Sequence, residues 1–140
     1  WSIHLVGTKT IDGRGVYENN SIGKNNSAGA VIQEWWVRVR VVNNSNEPVN
    51  GSDVVVDDPN HNKIVWGTTG NDGWVIWNQS GYSSINLTDY TIANSGSLND
   101  VTYYEFAAYL DTDNDGKPNA HESVFEKINE NEVIYITLNV

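Results

Sequence analysis

The sequence contains no cysteine and no methionine. The first absence excludes disulfides, thiolate metal ligands and thiol nucleophiles, so stability has to come from packing, hydrogen bonds and bound ions. Positive charge is scarce: 8 Lys and Arg stand against 18 Asp and Glu, a formal net charge of −10. A chain this acidic repels phosphate, which argues against nucleic acid and anionic lipid as partners. No apolar run approaches the roughly 18 residues of a membrane helix, so no membrane insertion is expected. Helical periodicity is also hard to find.

What the chain does have is asparagine, about one residue in seven. Its 140 residues fit one domain with a proper core. Asn-x-Ser/Thr tripeptides begin at Asn19, Asn25, Asn43, Asn50, Asn78 and Asn86, all in stretches that read as loop or strand edge, where a glycan fits. The first residue is Trp1 rather than Met, which reads as a mature terminus after signal removal. Together these features predict a secreted or cell-surface protein.

Short runs of Val, Ile, Trp, Tyr and Thr alternate with Gly, Asn and Asp clusters at about ten-residue spacing, the pattern of an all-β sandwich or barrel. The clearest strand is 31–42, where Val37, Val39 and Val41 face one way and Trp36, Arg38 and Arg40 the other. "SDVVVDD" reads as the next strand, and "KIVWGTT" and "WVIW" flank "GNDG", a hairpin signal. Segments 83–93 and 101–110 read as further strands, although "TYYEFAAYL" is apolar on nearly every side and a short helix remains open there. The last strand is 133–140, with Ile134, Ile136, Leu138 and Val140 facing inward. Ahead of all these, a short apolar strand near Ser2–Val6 is followed by a Gly- and Asn-rich lead. Residues 1–30 are thus expected to form an appendage that folds back on its own sheet or adds to a neighbour's, and 31–140 the sandwich.

One stretch carries chemistry. "DTDNDGKPNAHE", residues 111–122, has the spacing of a twelve-residue calcium loop. By that template Asp111, Asp113 and Asp115 each give a side-chain oxygen, Lys117 its carbonyl, Asn119 a direct or water-mediated contact, and Glu122 both carboxylate oxygens. Gly116 makes the sharp bend. Four carboxylates within twelve residues repel one another without a cation, and Ca²⁺ is the hard ion that oxygen donors of this kind select. Pro118 stands at the eighth position and has no N–H, so the loop is not built to pair with a second one. It resembles instead the Asp-rich loops of thrombospondin type 3-like and other extracellular β-proteins. A second acidic turn, Asp57 and Asp58 with Asn60, reads more simply as an Asx-type turn than as another cation site.

"EPVNGSDVVV" and "TTGNDGWVIW" resemble the turns that precede strands in carboxypeptidase regulatory-like domains and the related Cna-B-like modules. The matching positions are Pro48, Val49 and Gly51, then Thr69, Asp72 and Gly73, within a match over about residues 34–140. The resemblance implies a transthyretin- or Ig-like Greek-key β-sandwich, here with an extra N-terminal strand and an inserted calcium loop. It is nearly silent on function, since such modules serve as spacers, adhesin stalks and pilus parts. Some Cna-B-like modules form a Lys–Asn isopeptide bond. Asn139 and Glu105 lie in suitable strands, but Arg38 and Arg40 stand where the lysine is needed, and the bond is not expected.

Trp35 and Trp36 are adjacent and cannot both face the core. Trp36 and Trp77 are the candidates for exposure, as sugar-stacking or interface residues. Catalysis finds little support: His4, His61 and His121 are scattered and no nucleophile or metalloprotease motif occurs. The expectation is therefore a non-enzymatic extracellular structural module that self-associates or binds other surface proteins. The alternative is a calcium-dependent module that binds glycans.

Overall fold

The computed structural model describes residues 2–7, 30–93 and 97–140. Ten strands follow in order: β1 (Ser2–Val6), β2 (Ala30–Val42), β3 (Asp53–Asp57), β4 (Lys63–Thr69), β5 (Val75–Trp77), β6 (Ser84–Ile92), β7 (Leu98–Asp100), β8 (Tyr104–Leu110), β9 (Ala120–Glu126) and β10 (Glu132–Thr137). They form two five-stranded sheets, and no helix occurs among the described residues. The "TYYEFAAYL" segment is strand β8. Tyr104, Phe106 and Ala108 turn inward with the sheet period, and Ala107 between them is buried as well, on the other face.

In the first sheet β2 pairs antiparallel with β6, which in turn pairs with the short β7. The other edge of β2 carries two strands end to end, both parallel to it: β1 against Ala30–Glu34 and β10 against Val37–Val42. Between them the Trp36 N–H would be left open. The Asn131 side chain fills the gap by accepting that N–H at 3.1 Å, while Gly7, at φ +64°, ends β1 with its N–H on the Glu34 carbonyl at 2.8 Å. In the second sheet the order is β5-β4-β3-β8-β9. β3, β4 and β5 are consecutive neighbours and β8 returns beside β3, which is a Greek-key arrangement. The all-β Greek-key sandwich expected from the sequence, with its added N-terminal strand, is the observed architecture.

The core lies between the sheets. β2 supplies Trp35, Val37, Val39 and Val41, all at most 1% exposed, with Ile136 of β10 beside Val41 in the same sheet and Phe106 from the second sheet, both fully buried. One buried charged group interrupts this apolar filling. Asp89 on β6 accepts the Trp35 Nε1–H at 2.9 Å and an ammonium hydrogen from Lys127 at 2.7 Å. Lys127 also donates to Asp100 at 2.8 Å and to the Val101 carbonyl at 2.7 Å, so a single cation joins the β9–β10 connection to β6 and β7.

Two details differ from the sequence reading. Val140 is 47% exposed, not inward. The ladder of β10 ends at Thr137, Leu138 makes the last core contact with its N–H on the Val42 carbonyl, and strand alternation has no hold beyond that point. β7 and β9 are strands that the sequence reading did not separate. The Gly/Asn-rich lead, with Asn19 and Asn25, lies outside the described residues.

Candidate functional site

The acidic stretch forms the connection between β8 and β9, at one end of the sheet. Leu110 closes β8 and its carbonyl accepts the Asn119 N–H at 3.0 Å, so residues 111–119 are tied at their base as the loop of a hairpin. Within it, each aspartate accepts an N–H from residues just downstream. Asp111 takes the Gly116 N–H at 2.8 Å, Asp113 the Asp115 N–H at 3.3 Å, and Asp115 the Lys117 N–H at 2.8 Å. These bonds wind the backbone inward, helped by positive φ at Asn114 (57°) and Gly116 (86°). The consequence is convergence: Asp111, Asp113 and Asp115 each present a carboxylate oxygen, all within 4.8 Å of one another.

That spacing fits a calcium ion. Ligands held 2.3–2.6 Å from a Ca²⁺ centre lie no more than about 5 Å apart, and an all-oxygen carboxylate set is the donor chemistry the ion prefers. Desolvation acts to raise the Asp111 carboxyl, but the hydrogen bonds from Gly116, Asp113 and Asp115 outweigh it and hold its pKa below the ordinary carboxylate value. The group is therefore ionised well into the acid range, as a ligand must be.

The remaining template positions sit differently. Asn119 turns its amide to Thr112, accepting the Thr112 N–H at 2.7 Å and donating to its hydroxyl at 2.5 Å. Glu122 stands on β9 opposite Ala108, exposed and outside the Asp triad. Lys117 lies exposed on the descending limb of the loop. His121 is on the surface of β9, its ring stacked 4.7 Å from that of Tyr109. At the second acidic turn, Asp58 accepts the Asn60 and Asn62 N–H groups at 2.9 and 3.0 Å, and the Asn62 bond leads in holding its carboxyl low. This is an Asx turn with its oxygens already engaged.

The tryptophans divide by strand parity. Trp36 is 37% exposed, as expected for the outer face of β2. Trp77 is fully buried, contrary to expectation: β5 turns Val75 and Trp77 inward and Ile76 outward, and the Trp77 indole donates to the Ser83 carbonyl at 3.0 Å. The outward indole in this hairpin is Trp66 on β4, 42% exposed. The alternation of "KIVWGTT" against the inward Val65 carried that signal. On the outer face of the first sheet, the Arg38 guanidinium lies 4.0 Å over the Trp74 ring, and Trp74 meets Tyr135 at 6.4 Å. A groove of about 660 Å³ runs beside the Asp triad, with Trp66, Tyr109 and Asp111 among its walls.

No protein-family model matches the chain, and no curated protein matches it. Among solved structures, it is similar to a region of the Bacillus anthracis TIE protein, at 13% identity and a TM-score of 0.43, over 79% of this chain and 19% of that one.

Proposed function

We propose that this chain is a non-catalytic, extracellular structural module of a cell surface or filament, braced by calcium at the β8–β9 loop. The observation that carries the reading is the convergence of Asp111, Asp113 and Asp115 at the one long hairpin loop of the second sheet. A calcium ion there offsets two of the three like charges and fixes the ends of two strands at once. With extracellular calcium at ten to a hundred times a Kd of about 10⁻⁴–10⁻³ M, the stabilisation is roughly 1.4–2.7 kcal/mol. Calcium added to metal-free protein should therefore raise Tm by about 5–10 °C, and Asp113→Asn with Asp115→Asn should abolish the rise. A melt indifferent to calcium and chelator would end the reading.

In this reading β1 is also the means of self-association. It is five residues long, pairs among the described strands with β2, and is separated from β2 by residues 7–29, which reach far enough for the same parallel slot on a second copy to be filled instead. Removing residues 1–12 should convert oligomers to monomers in size-exclusion chromatography with calcium present. Full-length protein that is monomeric at high concentration would dismiss the exchange.

A second reading, a module that binds glycans, is favoured by the groove beside the Asp triad with its exposed Trp66. Glycan-array binding lost on Trp66→Ala would establish it.

A further inference from the structure

The two exposed tryptophans share a neighbour of the same kind. Trp36 on β2 lies directly across from Asn86 on β6, and Asn86-Leu87-Thr88 is a sequon. Trp66 on β4 lies across from Asn78, one step beyond the Gly67–Trp77 pair, with the Asn78 N–H on the Trp66 carbonyl at 2.9 Å; Asn78-Gln79-Ser80 is also a sequon. In each case both residues point to solvent, because the strand neighbours Leu87 and Trp77 point into the core. We propose that Asn78 and Asn86 carry N-linked glycans whose first sugar packs on the indole across the strand, Trp66 and Trp36 respectively. The inference rests on the extracellular reading above.

Side chains directly opposite in an antiparallel pair have their Cβ atoms about 4.5–5.5 Å apart. A sugar linked to the asparagine amide is therefore held over the neighbouring ring, and its C–H face covers apolar indole surface that would otherwise meet water. The Lys63 ammonium lies over the Trp66 ring, 5.4 Å from its centre. The remaining described tryptophans are buried or half-buried, so both solvent-facing indoles acquire an explanation. The other two described sequons lack this arrangement. Asn43 has its amide bonded to Glu47 and its carbonyl oxygen to the Ser45 and Glu47 N–H groups, and Asn50 stands in a turn with no strand partner. Neither the Asn78 nor the Asn86 side chain makes a hydrogen bond among the described residues.

The modification needs a cellular transferase and a lipid-phosphate-linked oligosaccharide. The Asn amide nitrogen attacks the anomeric carbon, the C–O bond to the lipid phosphate breaks, the phosphate departs with that bond's electrons, and the amide gives up one proton. Glycopeptide mapping of protein taken from the surface of producing cells should find sugar at Asn78 and Asn86. In a glycosylating host, Asn86→Gln should lower Tm by about 4 °C in the wild-type background and leave it unchanged beside Trp36→Ala, with the same relation for Asn78 and Trp66. Enzymatic release of the first sugar should be several-fold faster in the tryptophan variants. Surface protein with both asparagines bare overturns this inference and leaves the location intact. Bare protein confined to the cell interior overturns both. Occupied sites whose stability and release rate ignore the tryptophans overturn the packing.

Discussion

Replacing Lys127 with methionine should destabilise the protein by about 3 kcal/mol, seen as a fall in Tm on the order of 10 °C. The methylene stem survives in methionine, so the loss falls on the ammonium group. Without it the Asp89 side chain, at 7% exposure, keeps the neutral Trp35 indole N–H as its donor and has no opposite charge, so an unpaired carboxylate remains beside the core. Asp100 is half exposed and finds water, so it adds little. The control is a double variant, Lys127→Met with Asp89→Asn, which removes the stranded charge while keeping an oxygen for Trp35. It should recover much of the loss, and a double variant no better than Lys127→Met would refute the account. The pair has a pH signature as well. Partial burial acts to lower the lysine, yet the bonds to Asp100 and Asp89 win, and its pKa stands above the ordinary 10.5. A raised pKa means that the stabilisation is complete below about 10.5 and is lost as pH climbs through the higher folded value. Wild type should thus lose stability above that point more steeply than Lys127→Met.

Gly73→Ala should cost about 3 kcal/mol, lowering the urea midpoint without changing the slope. Gly73 closes the β4–β5 turn at φ +81°, and a Cβ there would sit 2.6 Å from the Val41 carbonyl oxygen and 3.0 Å from Pro48. That same turn gives the Gly73 carbonyl to the Val41 N–H at 2.9 Å, so relief of the clash breaks a bond between the sheets. Gly51→Ala separates torsion from contact. Its φ is +76° but nothing lies within 4 Å of the added carbon, so it should cost only about 1 kcal/mol. Equal costs at the two positions would show that the close approach to Val41 is immaterial.

These examples also mark where the sequence was informative. β2 could be read directly, because its inner valines alternate with Trp36, Arg38 and Arg40 across a sheet with one wet face. The turns at Gly51 and Gly73 were visible because only glycine takes those torsions without strain. β9 was hidden: "AHESVFE" buries little, lies at a sheet edge, and overlaps the end of the calcium template, so no apolar alternation announced it. Trp77 was misplaced because "WVIW" offers aromatics to both faces, and only the hairpin partner decides which one enters the core. The Asp spacing foretold the convergence of Asp111, Asp113 and Asp115. Spacing could not tell that Asn119 would turn to Thr112, because that depends on competition between local hydrogen bonds. The Lys127–Asp89 contact, 38 residues apart in sequence, left no local trace.

The parallel pairing of β10 with β2 sets how the sandwich answers tension. A pull on the start of β2 and on the end of β10 runs in opposite directions along neighbouring strands. The six pairs from Glu132–Val37 to Thr137–Val42 then meet the force together, in shear, instead of parting one at a time like a zipper. Stretched by those two points, the domain has to break that whole row in one event, so its rupture force should exceed that of an antiparallel hairpin with as many bonds.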